Sequence, residues 1–520
     1  MSKFTNKTHN NMIKKARRIS EEISCANYPI KDNRPILIFN TSTRISTLSL
    51  NASFSLLSSW FLKIAGYKPI NIICDKAINC IFNQNRDIQI CRNCLFVSNS
   101  IFSGTQKYYL RFQNRESKFE QFANFSFSDL ENFSIENINI GKLVLPSVRW
   151  LLRRHTIEEN EENISLYKKF IVSAWDLYDN ANYLFKEFSP QAILLFNGVF
   201  FPEAIFRLVA NKYKIRTITH EVGMKPLTSF FSHGLATDYP MKVEKEFKLS
   251  NIEKKIIDKT ISKRKTGNFR MAGINFWPKV LRVSPELTQI ISQHDTFVTI
   301  FTNVIFDTSQ INANIIFPNM FEWLNHLINI IKEFPNVFFV IRAHPDENRP
   351  GKESVESVFN WYIKNNHGSI NNLAFIDPNN PVSSYELISK SSMILVYNST
   401  IGLEASILGK KVICAAKSRY SQFDTVDLPL SIDEYLKLVK TNLTKLLPID
   451  HKKVENANKV FYFQFEKYSI PFDKFIFPIK KSPGHVGLKN IKLKDLEMSN
   501  SNSARIIVEG ITEGKEFRVL

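Results

Sequence analysis

The feature that most constrains the fold is a strand–helix–strand unit that recurs along the chain. Its first copy runs from a short apolar segment, Pro35–Asn40 (PILIFN), through a segment of helical length, Leu48–Ala65, to a second apolar segment, Pro69–Cys74 (PINIIC). Two strand-like segments separated by one helix are typical of a βαβ unit. Such a unit requires a parallel sheet with helices packed on its faces.

Three further copies follow the first. They comprise strand, helix and strand at Gln191–Asn197, Pro202–Tyr213 and Arg216–His220; at Thr296–Thr302, Met320–Phe334 and Val337–Ala343; and at Ser392–Asn398, Gly402–Leu408 and Lys411–Ala415. We therefore predict an α/β protein with two Rossmann-like, doubly wound domains, each built on its own parallel sheet.

Changes in charge and periodicity predict the domain boundaries. Residues 1–33 are polar and basic and predict an N-terminal arm, either loosely held or a surface helix. Residues 34–250 and 291–480 contain the repeated units and predict the two Rossmann-like domains. Residues 251–290 are rich in lysine and arginine and predict a basic linker, with a solvated helix face as the open alternative. Residues 481–520 are polar and weakly periodic and predict a peripheral tail.

The net charge narrows the class of partner. Lys and Arg number 68 against 49 Asp and Glu, a formal charge of +19 that favours an anionic partner such as nucleic acid, anionic lipid or a phosphorylated substrate. The basic residues are spread over arm, linker and tail, and no nucleic-acid recognition motif accompanies them. We therefore expect no nucleic-acid partner, and a nucleic-acid-binding protein remains the non-enzymatic alternative.

The lack of a recognisable targeting or membrane-spanning segment predicts a cytoplasmic protein. The first 18 residues contain no apolar run that would form a signal peptide, and no stretch of about 18 uninterrupted apolar residues occurs elsewhere. Six cysteines are too few for a disulfide scaffold and agree with a reducing compartment. The basic arm and linker further predict peripheral attachment to an anionic membrane surface, on the inner face of the cell membrane.

One candidate site lies at the turn within Tyr397–Ala415 (YNSTIGLEASILGKKVICA). Here an apolar strand ends in a polar turn from which a helix starts, so backbone N–H groups of the helix start would face an anion such as phosphate. A glycine at the helix start would allow close backbone approach, and a glutamate one turn later would accept hydrogen bonds from ribose hydroxyls. The residues concerned are Asn398, Ser399, Thr400, Gly402 and Glu404. An ordinary helix cap by Ser399 or Thr400 is the alternative.

A second candidate lies in Val340–Glu347 (VIRAHPDE). Arg342 and His344 emerge where this strand ends, at the carboxyl edge at which open α/β sheets bind ligands, and Pro345 stops the strand. A third lies in Thr219–Gly223 (THEVG) of the first domain. His220 and Glu221 would reach the same crevice from the opposite side, where a glutamate can act as general base.

The three segments IRAHPDE, NSTIGLEASILGKKV and THEVG together resemble the bacterial capsule polysaccharide biosynthesis glycosyltransferases, including Kdo- and sialyltransferase-like relatives. The resemblance is clearest over Gln191–Ala415. It implies the GT-B fold, in which two Rossmann-like domains face a cleft, the first binding the acceptor and the second the nucleotide-sugar donor. It also implies metal-independent chemistry.

The resemblance implies roles for individual residues. Glu221 would be the base, with His220 as the neighbouring alternative. His344 would contact the donor phosphate together with Arg342, Ser399 and Thr400 would form the phosphate-binding pair at a helix start, and Glu404 would bind the ribose. Glu221 paired only with Lys225 or Arg216 remains a structural alternative.

These inferences predict a glycosyltransferase that moves a sugar from a nucleotide-activated donor to a surface polysaccharide or its lipid-linked precursor. Two enzyme alternatives share parts of the pattern, namely a nucleotide-sugar 2-epimerase and a teichoic-acid-like CDP-polyol phosphotransferase. No cofactor is expected. Zinc is a less favoured alternative at the cysteines Cys74, Cys80, Cys91 and Cys94, because their spacing is not that of a standard pair of zinc knuckles.

Overall fold

The structure is a computed structural model that describes residues 3–40, 48–75, 78, 80, 87–110, 115–267, 282–350, 352–445, 447–479, 482 and 484–519. Its strands are β1 (Pro35–Phe39), β2 (Lys68–Ile73), β3 (Gln106–Tyr109), β4 (Ser134–Ile135), β5 (Ile138–Asn139), β6 (Ala192–Phe196), β7 (Arg216–Val222), β8 (Thr228–Ser232), β9 (Thr296–Phe301), β10 (Val337–Arg342), β11 (Leu373–Ile376), β12 (Met393–Val396), β13 (Lys411–Cys414), β14 (Ile470–Pro471), β15 (Ile476–Pro478) and β16 (Val486–Leu488).

The helices of the described ranges lie between and beyond these strands. They are α1 (Lys3–Cys25), α2 (Leu50–Ile64), α3 (Ile88–Ile101), α4 (Arg115–Glu120), α5 (Phe127–Asn132), α6 (Ile140–Leu152), α7 (Glu161–Phe188), α8 (Phe201–Lys212), α9 (Asn251–Lys265), α10 (Pro285–Ser292), α11 (Met320–Glu333), α12 (Val358–Lys364), α13 (Ser384–Lys390), α14 (Ile401–Ile407), α15 (Ile432–Thr444), α16 (His451–Tyr462) and α17 (Asn502–Glu513). Within the described ranges, no helix combines the length and apolarity needed to cross a bilayer.

Two parallel sheets form the centres of two domains, which confirms the predicted fold class. The first sheet has the order β14-β8-β7-β6-β1-β2-β3, parallel from β7 to β3, with β8 and β14 added antiparallel. The second has the order β11-β10-β9-β12-β13 and is parallel throughout. Their central strands are buried on both faces, which explains why they occur in the sequence as continuous apolar runs.

The predicted strands and helices of the repeated units are confirmed, with ends that agree within about two residues. For example, the strand predicted at Val337–Ala343 is β10, and the helix predicted at Met320–Phe334 is α11. In α11 the residues that face the sheet recur at helical spacing and are buried, so periodicity and packing agree.

The strand order places a crevice at one edge of the second sheet. β10 and β11 lie on one side of β9, whereas β12 and β13 lie on the other, so the strand order reverses between β9 and β12. Ligands of open α/β sheets bind at such a reversal, beyond the carboxyl ends of the strands. Asn303 follows β9, His344 follows β10, and Ser399 and Thr400 follow β12, so the topology brings these residues to a common edge.

The N-terminal segment differs from the prediction of a loosely held arm. α1 buries an apolar stripe that includes Met12, Ile19 and Ile23 in the core of the first domain. The hydroxyl of Ser20 donates to the carbonyl of Ile101 at 2.7 Å and accepts from the Trp60 indole at 3.0 Å. A helix can be polar on average and still be held firmly when its few apolar residues share one face.

The prediction of a peripheral tail over 481–520 is also corrected. α17 lies in the core of the first domain, where Ile507 and Ile511 are fully buried, and it packs against α2. The chain therefore crosses back after α16, since β14 pairs with β8 of the first sheet. Residues 470–478 accordingly belong to the first domain, although the sequence assigned them to the second.

The predicted linker is helical where it is described. α9 and α10 occupy its two ends, and residues 268–281, which include Arg270, Gly273 and Pro278 of the predicted linker, lie outside the described part. The lysines of α9 are exposed as the solvated-face alternative anticipates, but Arg264 is only 7% exposed. One basic residue of this charge run therefore has a different environment from the rest.

Candidate active site

Two cavities meet at the carboxyl edge of the second sheet. The first, here called the strand-end cavity, is lined by residues of the second domain and by the end of α9. The second, the interdomain cavity, is lined by Thr237 and Asp238 of the first domain and otherwise by the second domain. Both cavities share one wall, formed by His344, Asp346, Ser399 and Thr400.

His344 caps a short 3-10 helix that starts at Pro345. Its Nδ1 accepts a hydrogen bond from the backbone N–H of Asp346 at 3.2 Å. Burial lowers the pKa of the imidazole, although the nearby carboxylates of Asp346 and Asp307 oppose this effect. A neutral ring that accepts at Nδ1 carries its proton on Nε2, so His344 can donate a hydrogen bond to a phosphate oxygen in the shared wall.

Ser399 and Thr400 form the turn before α14. Ser399 is 8% exposed, and in the described part of the chain neither hydroxyl hydrogen-bonds to another protein group. The backbone N–H groups of Gly402 and Leu403 donate to the carbonyls of Ser399 and Thr400 at 3.1 Å each. The hydroxyls therefore remain available to a ligand, whereas those two backbone donors are used within the turn.

Gly402 is needed for a reason other than ligand approach. A Cβ at this position would meet the hydroxyl of Tyr420 at 2.2 Å. That hydroxyl donates to the Ser399 carbonyl at 2.6 Å and so holds the turn from behind. The glycine, which the sequence predicted as a donor-binding residue, instead makes room for the tyrosine that fixes Ser399, and it lines neither cavity.

Asn398 fixes the start of the same turn. Its Oδ1 accepts from the Asn303 side chain at 2.6 Å and from Gln310 at 3.3 Å, and its Nδ2 donates to the Ser309 carbonyl at 3.0 Å. The side chain is therefore committed to joining the ends of β9 and β12. It lines the interdomain cavity but acts mainly as a brace.

Arg342 has a different role from the predicted phosphate contact. Its guanidinium is 2% exposed and donates to the carbonyls of Asp377 and Asn380, the latter at 2.7 Å. Burial lowers the pKa of this guanidinium to about 10. Arg342 thus holds the loop that follows β11, and it also lines the strand-end cavity.

Glu404 lines the strand-end cavity but already has two protein partners. One carboxylate oxygen accepts from Arg264 of α9, and the other accepts from the hydroxyl of Tyr385. The Arg264 guanidinium also lies 4.9 Å from the centroid of the Phe465 ring. Burial and the Glu404 charge raise the pKa of Tyr385 well above its ordinary value. A ribose would therefore meet a preformed cluster here, rather than a free carboxylate.

Glu221 is the second-to-last residue of β7, and the charges of Arg419 and Asp307 of the second domain act on its carboxylate. Its carboxylate accepts from the Asn197 side chain at 2.7 Å and from the backbone N–H of Val222 at 2.8 Å. Burial raises the pKa of this carboxyl, despite these hydrogen bonds and the charge of Arg419, which lower it. Asp307 also raises it, and both Arg419 and Asp307 line the interdomain cavity. A carboxylate held in this way keeps lone pairs for a proton.

The alternative pairing of Glu221 with Lys225 or Arg216 is contradicted. Lys225 pairs with Glu466 at 2.7 Å, and Arg216 donates to the backbone carbonyls of Ile511 and Thr512. Neither cation pairs with the Glu221 carboxylate, and Glu221 itself lines neither cavity.

His220 lies on the opposite face of β7 from Glu221. It is 0% exposed, its Nε2 is 2.9 Å from the Ser55 hydroxyl, and its ring packs against Phe54 and Phe231. Burial lowers the pKa of its imidazole to about 3. Side chains alternate between the two faces of a strand, so His220 belongs to the core when Glu221 faces the cleft. Its expected place in the crevice is therefore wrong.

Sequence reasoning missed several residues of the site. Asp307 lies in the loop that follows β9, where it caps the short 3-10 helix Thr308–Gln310, so attention to the loop after this strand would have pointed to it. Arg264 lies in a run of basic residues and could not be distinguished from its neighbours by sequence. The sequence around Tyr385 contains no motif that indicates a binding site. Arg419 donates to the Thr237 carbonyl at 3.2 Å and so connects the two domains.

The described residues contain no group of three or more His, Cys, Asp or Glu side chains that could hold a metal ion.

Comparison with solved structures gives matches of low similarity. A β-Kdo 2,4 transferase domain of KpsC from Thermosulfurimonas dismutans is 11% identical, with a TM-score of 0.35 over 59% of this chain and 87% of that one. The β-Kdo 2,7 transferase of the same organism's KpsC is 14% identical, with a TM-score of 0.32 over 74% and 98%. A UDP-GlcNAc 2-epimerase from Neisseria meningitidis is 14% identical, with a TM-score of 0.23 over 82% and 97%.

A search against curated proteins found no match.

The family comparison is more specific. The family model of the capsule polysaccharide biosynthesis proteins matches residues 284–427, which contain β9 to β13 and the wall shared by both cavities. This match confirms, for the second domain, the resemblance carried by the IRAHPDE and NSTIGLEASILGKKV segments. The chain is thus a two-domain α/β protein built on two parallel sheets, whose residues 284–427 are similar to the capsule polysaccharide biosynthesis proteins.

Proposed function

We propose that the protein is a glycosyltransferase that moves a sugar from a nucleotide-activated donor to a surface polysaccharide or its lipid-linked precursor. The observation that carries this proposal is the shared wall between the two cavities. A reaction between a donor and an acceptor requires two adjoining sites, with the leaving group at their boundary. His344, Ser399 and Thr400 provide neutral hydrogen-bond donors at that boundary.

In this proposal the nucleotide occupies the strand-end cavity and its phosphates lie against the shared wall. Nε2–H of His344 and the hydroxyls of Ser399 and Thr400 donate to phosphate oxygens as the bond to the sugar breaks. Such fixed donors act where negative charge develops, and the loss of one is expected to cost about 10²-fold in turnover. The Glu404–Arg264–Tyr385 cluster forms the far side of the cavity, where the ribose would lie.

The acceptor enters from the interdomain cavity, and Glu221 removes the proton from its hydroxyl. The raised pKa of Glu221 makes its carboxylate a stronger base than an ordinary glutamate. Asn197 and the Val222 N–H orient the carboxylate. The reaction as proposed needs no metal ion, because the phosphate charge is met by hydrogen-bond donors of the protein.

A thermal-shift panel tests the donor site directly. The full chain is melted with CMP, CDP, UDP, GDP and ADP, and a ligand at 100 times its Kd stabilises the folded state by about 2.7 kcal/mol. Stabilisation by one nucleotide, lost in Ser399→Ala but kept in Ser406→Ala, supports the proposal. Ser406 suits the control because its hydroxyl lies on the same helix and donates to the Thr425 carbonyl, away from either cavity. No stabilisation by any of them contradicts the proposal.

Product analysis separates the enzyme alternatives. A nucleotide-sugar 2-epimerase converts its donor without an acceptor, and a CDP-polyol phosphotransferase needs a CDP-polyol. A glycosyltransferase releases nucleotide only when an acceptor is present, apart from slow hydrolysis. Mass analysis of the nucleotide and sugar products, with and without acceptor, therefore decides among the three.

Peripheral attachment to an anionic membrane is a further proposal, and α9 supports it best. Its exposed residues include Ile252, Ile256, Lys255 and Lys259. Each lysine near an anionic surface contributes about 1 kcal/mol. The arm contributes less than its charge indicates, because Arg17 and Arg18 form ion pairs within α1. Sedimentation with anionic but not neutral vesicles at low salt would support the proposal, and no sedimentation would remove it.

A further inference from the structure

A buried carboxyl group lies behind the wall that the two cavities share. Glu347 belongs to the short 3-10 helix Pro345–Asn348, which His344 caps, and it is 0% exposed. His344, Pro345 and Asp346 line the strand-end cavity, whereas Glu347 lines neither cavity. We call His344 together with Pro345–Asn348 the histidine turn. Glu347 is the residue of this turn that points into the protein.

Three hydrogen bonds of Glu347 fix the histidine turn. Its backbone N–H donates to the His344 carbonyl at 3.0 Å, and its carbonyl accepts from the backbone N–H of Ser354 at 2.7 Å. Its side-chain Oε1 accepts at 3.0 Å from the backbone N–H of Val358, the first residue of α12, which is itself fully buried. The side-chain bond therefore joins the turn that carries His344 to the start of a helix packed in the core.

The surroundings of Glu347 favour its neutral, protonated form. Among the described residues, its Oε2 has no hydrogen-bond partner and no cationic group forms an ion pair with it. Burial raises the pKa of Glu347 to about 8, the Val358 N–H opposes this effect, and the charge of Asp377 adds to it. One hydrogen bond is too little to offset the loss of water around a buried charge. At neutral pH the group is therefore mainly an acid that carries its proton on Oε2.

The charged groups around the histidine turn do not compensate a carboxylate at Glu347. Asp377, in the loop after β11, adds a second negative charge, and Arg342 of β10 donates to backbone carbonyls of that loop. Asp346 of the turn pairs with Arg349 at 3.7 Å. In the described part of the chain no ion pair joins Glu347 to the other charged side chains of the following loop and α12, which are Lys352, Glu353, Glu356 and Lys364.

We propose that Glu347 is a positioning residue of the donor site: its neutral form holds the histidine turn in place for nucleotide binding, and its ionisation weakens that binding. This inference rests on the proposed function, because only that function places nucleotide phosphates against His344. An ionised carboxylate behind the wall would repel phosphates in front of it. It would also need water that its buried position does not supply, so the turn would have to move.

Nucleotide affinity as a function of pH tests the inference. The nucleotide of the panel that stabilises the parent is titrated calorimetrically into the full chain between about pH 6.5 and 9.5. Parent affinity should be constant up to about pH 8 and then fall by up to about ten-fold per pH unit, because binding requires one proton to be retained. Glu347→Gln stays neutral and can still accept from Val358, so it should not show this fall. Glu322→Gln, which removes an exposed carboxylate of α11, should behave as the parent.

Asp377→Asn provides a second, independent variant. The charge of Asp377 raises the pKa of Glu347, so its removal should move the fall in affinity to lower pH than in the parent. Asp377 lines neither cavity, and the amide oxygen can still accept from the Asn379 N–H that now donates to Oδ1 at 2.8 Å. This shift tests the inference even if Glu347→Gln does not fold.

Urea unfolding separates positioning from a purely structural role. The folded state keeps the Glu347 proton up to about pH 8, whereas the unfolded state releases it near the ordinary value of 4.5. The parent should therefore lose stability relative to Glu347→Gln as pH rises between these values. This difference without a difference in the pH dependence of nucleotide affinity would make Glu347 structural only and overturn the inference. An equal fall in affinity in the parent and Glu347→Gln, or no shift in Asp377→Asn, would also overturn it. If no nucleotide binds the parent at any pH, the proposed function fails, and this inference with it.

Discussion

Arg264 and Glu404 form a buried ion pair that joins the helix connecting the two domains to the wall of the strand-end cavity. The two side chains are 140 positions apart in the sequence and 7% and 4% exposed. The pair shows that the basic segment predicted as a linker also contributes to the candidate donor site.

Removing one member of this pair should destabilise the protein strongly. Arg264→Met leaves the Glu404 carboxylate buried without its cation, and a loss of about 3 to 5 kcal/mol in the free energy of unfolding is expected. The Arg264→Met/Glu404→Gln double variant should lose less than the sum of the two single variants, because each single variant leaves one buried charge without its partner, whereas the double variant leaves none. Urea unfolding measures both, with Lys259→Met, an exposed change on the same helix, as control. Strictly additive losses would contradict the coupling.

Glu221→Gln should separate chemistry from donor binding. The amide keeps the shape and can still accept from Asn197 or Val222, but it loses the basic lone pair. Turnover should fall by about 10² to 10⁴, with nucleotide affinity nearly unchanged. Near-normal turnover in a stable Gln variant would reject the base role.

The pH dependence of turnover follows from the same residue. The base acts only when it is deprotonated, and burial raises the pKa of Glu221 above the ordinary value. Turnover should therefore decline, as pH falls, at a higher pH than an ordinary glutamate would give. A rate–pH profile of the parent that stays flat down to the ordinary range of a carboxyl would argue against Glu221 as base.

His344→Ala and Ser399→Ala should weaken nucleotide binding without unfolding the protein. Both side chains line the two cavities and neither fills core volume. The affinity of each variant is measured by titration with the nucleotide that stabilises the parent. Affinities equal to that of the parent in both variants would remove these residues from the donor site.

His220 should make stability depend on pH. Its folded-state pKa is lowered to about 3, below the value of about 6.5 in an unfolded chain, so the unfolded state takes up a proton first as pH falls. Between about pH 7.5 and 5 the protein should lose about 2 kcal/mol of stability from this residue alone. His220→Gln should lack this part of the loss in urea unfolding. An unchanged pH dependence in the variant would place the effect elsewhere.

Gly402→Ala should destabilise the turn that carries Ser399. The new methyl group would collide with the Tyr420 hydroxyl, which is 2.2 Å from the ideal Cβ position. Tyr420→Phe removes that hydroxyl, so the double variant should recover part of the melting temperature lost by Gly402→Ala. If the second change gives no recovery, the glycine is required for another reason.

Much of the fold and part of the site follow from the sequence by itself. The buried parallel strands are continuous apolar runs, and residues that follow such strands meet at one edge of a sheet, which placed His344, Ser399 and Thr400 in a common site. These are local patterns and a topological rule, and neither requires knowledge of long-range contacts.

Tertiary structure decided what each candidate side chain contacts. His220 and Glu221 are neighbours in sequence, but β7 directs one into the core and the other toward the second domain. Gly402 leaves room for the Tyr420 hydroxyl, and the Glu404 carboxylate forms an ion pair with Arg264. The C-terminal helix α17 lies in a segment that the sequence predicted as peripheral, yet it is buried because its apolar residues meet α2 of the first domain. These outcomes depend on residues far apart in the chain, and only the packing of the two domains brings such residues together.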